Sequence, residues 1–156
     1  MGTYARMLRC SGTIVGVSAT DVVGLRIWCD LDRVDGITDL SAVSCFLVHE
    51  FARLSDGREV VLLDDRGWTG APVSLLSSRD IEAHAYSVLL PDWADVNNPL
   101  PQELAIAEAV GGAQDWNLLS QRLRYHGAIA TPDQLARMPR QFQLSERLAA
   151  DVKDAP

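Results

Sequence analysis

The sequence predicts an α+β fold, with an antiparallel sheet formed mainly by the N-terminal half packed against helices of the C-terminal half. Three observations predict it. Glycines at 12, 16, 24, 36, 57, 67 and 70 punctuate β-branched clusters, the pattern of short strands joined by turns. From Ser77 onward β-branched residues thin out and apolar residues recur at three and four, which is helical spacing. Strands followed by helices, rather than alternating with them, argue against parallel βαβ units. At 156 residues with 47% hydrophobic content the chain reads as one domain over 1–156, strand-rich over about 3–76 and helix-rich over about 77–152.

Runs at Thr13 to Val17 and Val22 to Leu31 read as strands, the second with the alternative of a helix start capped at Thr20. The clearest local signal is a hairpin over about 43–66, in which two β-rich runs flank Ser55, Asp56 and Gly57. A three-residue loop with Gly57 in the left-handed region sets Arg53 opposite Glu59 and Phe51 opposite Val61, an opposite-charge pair beside an aromatic and β-branched pair. A two-residue loop sets His49 opposite Asp64 and leaves Arg53 facing Val60, so the three-residue register is preferred. Gly67 reads as the exit from the second strand into a turn.

Ser77 or Ser78 caps a helix over about 79–90, with Asp80 and Glu82 in its first turn and Ile81, Ala85 and Val88 on one face; a short strand at Tyr86 to Leu90 is the rival. Pro91 ends it, and Asp92 to Pro99 reads as a polar turn. Pro101 opens a second helix that Gly111 and Gly112 terminate. Trp116, Leu119 and Leu123 stripe a third helix ending at Gly127. Thr131, Pro132 and Gln134 form a capping box with Pro at the first position, and that helix stops before Pro139. A last helix runs from Ser145 to about Val152. Trp28 and Trp116 are expected in the core, Trp68 and Trp93 in turns.

With 14 basic and 21 acidic side chains, a net charge of -7 and a pI near 4.8, the chain offers phosphates no attractive field, so nucleic acid is not an expected partner. No run of 18 apolar residues and no signal-type segment occurs, and a cytoplasmic, membrane-independent location is expected. Cys10, Cys29 and Cys45, odd in number and flanked by apolar residues, read as free buried thiols rather than as a disulfide framework or metal knuckle.

Candidate chemistry is sparse. His49 and Glu50 adjoin, but position 53 is Arg where a metalloprotease helix needs its second His, and neighbours in a strand point to opposite faces. Asp80 and His84 share a helix face, yet two ligands do not make a zinc site. His126 before Gly127 suits a helix end. Asp64 and Asp65 read as a strand exit rather than a paired carboxylate site. Phosphate-loop, dinucleotide and nucleophile-elbow motifs are absent, and no cofactor or metal is expected.

Charge distribution is the feature that suggests a partner. Between Arg79 and Arg122 no basic residue occurs, whereas Asp92, Asp95, Glu103, Glu108 and Asp115 all fall there with Trp93. These six residues are the candidate binding patch, with internal pairing to Arg122, Arg124, Arg137, Arg140 and Arg147 as its structural rival. The expected function is a non-enzymatic protein-binding or regulatory module, of the kind that inhibits a basic partner, since complementary charge steers association. The alternative is a small-molecule-binding domain or enzyme with a pocket between sheet and helices, where His49 or His84 meets distant carboxylates.

Overall fold

The computed structural model describes residues 20–32, 43–91 and 114–154. The expected strand at Thr13 to Val17 and the helix opening at Pro101 lie outside them. Among the described residues the order is β1 (Thr20–Leu31), β2 (Ser44–Leu54), β3 (Glu59–Gly70), a 3-10 turn (Val73–Leu75), α1 (Ser78–Val88), α2 (Trp116–Tyr125), β4 (Ala128–Ile129), α3 (Pro132–Arg137), β5 (Arg140–Leu144) and α4 (Glu146–Asp151). The class is α+β, with a mixed sheet in which β3, β2 and β1 run antiparallel and β4 and β5 both pair with β1 in parallel.

The β2–β3 hairpin has the three-residue register. Arg53 pairs with Glu59 and Phe51 with Val61, and Gly57 sits at φ +87°. A type I′ loop would also need positive φ at Asp56, and among the described residues no side-chain-bearing residue adopts it. The loop is closed by the Leu54 N–H donating to the Arg58 carbonyl at 2.9 Å, while the Asp56 carboxylate accepts the Arg58 N–H at 3.0 Å.

Beyond Val61 the ladder slips twice, because Glu50 pairs with Leu63 and Val48 with Arg66. Each slip inserts one extra residue into β3, a β-bulge that reverses the inward and outward alternation. Leu62 and Leu63 are therefore both buried, and Asp64 and Asp65 both exposed. Two bulges restore the phase, so Trp68 points inward and stacks on Phe46, with ring centroids 4.4 Å apart. Trp68 and Gly67 thus lie within β3, not in the turn that the sequence suggested. At Gly67 an added Cβ would overlap the Phe46 carbonyl oxygen, so the strand continues there only because the residue is glycine.

The strands in the C-terminal half were not foreseen. β4 and β5 read as one edge strand interrupted by α3: Asp21 pairs with Ile129, and four residues later Leu25 pairs with Arg140. Between them the Pro139 carbonyl accepts the Leu25 N–H at 2.9 Å. The short apolar steps of Arg140–Leu144 lie between two helices with strong caps, which masks their period of two. The Ser77 cap and the Thr131–Gln134 capping box are as expected; Ser77 also forms a reciprocal box with Asp80, and Ser145 caps α4 instead of lying within it. The helix expected over about 79–90 runs over Ser78–Val88, so the rival strand at Tyr86 to Leu90 does not form.

One face of the sheet carries the core. Leu25, Ile27 and Cys29 of β1 and Phe46, Val48 and Ala52 of β2 pack under Ile81, Leu119, Leu123 and Leu148 of the helices. Trp28 departs from expectation. It lies half-buried on the opposite face of the sheet, edge-on to His49 at 5.5 Å, because its even position in β1 alternates with the core residues 25, 27 and 29.

Candidate functional site

Of the candidate patch, Asp92, Trp93, Asp95, Glu103 and Glu108 lie outside the described residues. Asp115 is the N-cap of α2, its carboxylate accepting the Leu118 N–H at 3.1 Å. The C-terminal arginines reach the sheet. Arg147 donates to both oxygens of Asp30 at 2.7 and 3.0 Å, and against the upward push of burial the bonds from Arg147, Ser145 and the Leu31 N–H hold Asp30 below the ordinary aspartate range. Arg122 donates to the carbonyl of Leu62, the residue at the first bulge.

The three histidines stand apart. His49 is half-buried on the outer sheet face between Trp28 and Phe51. His84 stacks on Trp68 at 5.5 Å and bonds through Nδ1 to the Asp80 carbonyl at 2.7 Å. Asp80 itself is spent on the capping box, so the two do not converge on an ion. His126 ends α2 ahead of Gly127 at φ +75°. Among the described residues no three His, Cys, Asp or Glu side chains are grouped to hold a metal. Cys29 and Cys45 are free and buried, and burial, with Asp30 beside it, pushes the Cys29 thiol up to about 12.

The residue that sequence reasoning set aside, as the neighbour of His49, is Glu50. On β2 the inward positions are 44, 46, 48, 50, 52 and 54, and Glu50 is the one charged residue among Ser, Phe, Val, Ala and Leu. Its side chain is 0% exposed, midway along the central strand, between Ile27 on β1 and Leu63 on β3. Gln114, just before α2, donates its amide to Oε2. Oε1 has no hydrogen-bond partner, and neither has the buried Trp116 Nε1. From β5 the Arg140 guanidinium lies over the Trp116 ring, 4.7 Å from its centroid, and its charge acts on Glu50. Tyr86 of α1 feels both charges. Burial pushes the Glu50 carboxyl up to about 7, against the opposing pull of Gln114 and Arg140. The hairpin register that places Arg53 opposite Glu59 also places Glu50 on the inner face, so the signal was present in the alternation.

A second feature runs along the outer edge of the sheet. A cleft of about 340 Å³ is lined by Val61, Leu62, Asp64, Arg122, Tyr125 and His126. A neighbouring cleft of about 400 Å³ includes Asp32, Asp64, Asp65, Arg66 and Trp68. Asp64 borders both, so they adjoin along β3. Of the apolar side chains that line them, Leu62 and Phe46 are buried, but Tyr125 is 90% and Val61 43% exposed, and Leu118 nearby on α2 is 38% exposed. Leu118, Arg122 and Tyr125 follow helical spacing and share one face of α2. Among the described residues β3 is an edge strand, and its two bulges and paired aspartates oppose strand addition.

Compared with protein-family models, with curated proteins and with solved structures, the chain matches none. None of the described helices is long and apolar enough to cross a membrane.

Proposed function

We propose that the chain is a non-enzymatic protein-binding module, of the inhibitory or regulatory kind, that docks a basic partner along the outer edge of β3 and the adjoining face of α2. The observation that carries this reading is the adjoining pair of clefts, lined by exposed Tyr125 and Val61 and by Asp32, Asp64 and Asp65. Aromatic anchors ringed by charge are how protein interfaces combine affinity with partner choice. The scattered histidines favour this reading over a catalytic one. The net charge of -7, to which the run from Asp92 to Asp115 contributes, steers a cationic protein toward the same chain.

The test is capture from the native host with the wild-type protein and two variants. A basic protein is expected, retained less well as salt rises because exposed charges are screened beyond about 8 Å at physiological ionic strength. Tyr125→Ala should raise its dissociation rate by an anchor's share of about 2 kcal/mol, and Asp64→Arg should slow its association. Equal retention by wild type and both variants would rule out this surface.

A second reading, a ligand pocket between sheet and helices, draws on Glu50 Oε1 and Trp116 Nε1, two buried polar atoms with hydrogen-bonding capacity in hand. It predicts a small molecule that co-purifies with the wild type and is lost in Glu50→Leu.

A further inference from the structure

We infer that Glu50 is a buried proton-binding site whose neutral form lets the N-terminal end of α2 close against the sheet, and whose ionised form loosens that contact. The geometry sets the two states apart. A carboxylate with one oxygen lacking a donor, in a fully buried position, is among the most costly arrangements in a protein interior, and the group relieves it by taking a proton or by admitting water. A protonated carboxyl needs no charged donor, and its Oε2 still accepts from Gln114.

The groups that face Glu50 decide how water would enter. Ile27 on β1 and Leu63 on β3 are apolar and locked in the ladder on either side. From α1 comes Tyr86, with Glu82 acting on it in turn; burial first and then Glu82 raise that phenol, so it stays neutral. From β5 comes Arg140, whose guanidinium is disfavoured by its own burial and favoured by Glu50. The remaining contacts belong to the start of α2, the Gln114 amide on Oε2 and the Trp116 ring under Arg140. Trp116 is itself buried in the core, whereas Gln114 stands ahead of the helix and is held to Glu50 by a side-chain hydrogen bond rather than by a strand ladder, so it is the part of the shell that can part. Because α2 also carries Leu118, Arg122 and Tyr125, loosening its start would disturb the proposed docking face, but the proton site itself does not depend on that reading.

The experiment is an NMR titration of protein carrying carbon-13 at the glutamate carboxyls, with amide exchange followed at Leu119 to Leu123. One carboxyl is expected to titrate near neutrality, well above the ordinary glutamate value of about 4.3. Glu50→Gln should remove that titration. Gln114→Ala, which takes a donor from the charged form, should move it higher still. Exchange of the α2 amides, corrected for the intrinsic effect of pH, should speed up by at most about tenfold per pH unit above the midpoint, as expected for one proton. In Glu50→Gln it should stay flat. If every glutamate titrates in the ordinary range, or if the α2 amides respond to pH alike in wild type and Glu50→Gln, the inference is wrong. Should Glu50→Gln fail to fold, the wild-type titration and the Gln114→Ala shift decide it.

Discussion

Glu59 and Glu50 stand on adjacent strands of one sheet, each near an arginine, and behave in opposite ways. Glu59 is on the solvent face, where Arg26 of β1 grips it with two bonds of 2.8 and 2.6 Å and itself lies 4.3 Å above the Phe51 ring. Those bonds, against some burial, hold Glu59 below the ordinary glutamate range. Glu50 is on the core face, reached by Arg140 through charge and by a neutral amide through a hydrogen bond, and burial drives it upward. The difference teaches that a nearby guanidinium does not fix a carboxylate's charge. Solvent access decides how much of the ionised form's hydration the partner must replace.

The comparison is broken most severely by deleting the inner arginine. Arg140→Met removes the partly buried cation whose charge favours the ionised form of Glu50, and leaving that buried carboxylate less compensated costs about 2 kcal/mol. That cost should be full at pH 8 and smaller at pH 5, where Glu50 is neutral, as urea midpoints at the two pH values would reveal. A pH-independent loss would mean that Arg140 acts only by packing on Trp116. A smaller effect, about 1 kcal/mol, is expected for Gly57→Ala, which puts a Cβ at φ +87° in the turn that sets the register for Glu59. An unchanged urea midpoint would count against the loop geometry.

Smallest of all should be the outer pair. Arg26→Ala is expected to cost about 0.5 kcal/mol, because exposed ion pairs rarely contribute more, plus whatever stem packing on Phe51 is lost. Its pH signature has the opposite sign to that of Glu50. The folded-state value of Glu59 is depressed, so its contribution is present above the unfolded-state value and is lost as pH falls through the folded one. Salt titration of the difference between wild type and Arg26→Ala checks this; insensitivity to salt would point to packing alone.

Much of this was legible in the sequence. The hairpin register, the helix over 78–88, the Thr131 capping box and the free state of Cys29 and Cys45 follow from local rules: turn residues, caps and cysteine count. Arg53 does face Glu59, but the carboxylate turns to Arg26 across two strands, a choice that depends on β1 lying beside β2 and so is invisible to hairpin arithmetic. The bulges at Leu62 and Asp64 could not be read, since a run of apolar residues followed by two aspartates alternates as well without them. They determine what lines the edge clefts. Glu50 was half legible: its inward phase follows from the register, whereas the company of Gln114, Trp116 and Arg140 comes from segments more than 60 residues away. Of the expected acidic patch the described structure contains only Asp115, and it supplies Asp32, Asp64 and Asp65 as acids of a different surface.

The most direct measurement is urea unfolding of wild type and Glu50→Gln at half-unit steps from pH 5 to pH 8. The folded-state value of Glu50, about 7, is raised above its ordinary 4.5, so its contribution to stability is fully present below the ordinary value and is lost as pH rises through about 7. Wild type should therefore lose stability across this window, with a slope approaching one proton between the two values, and Glu50→Gln should be flatter by that one proton. Parallel pH profiles for the two proteins would contradict the account.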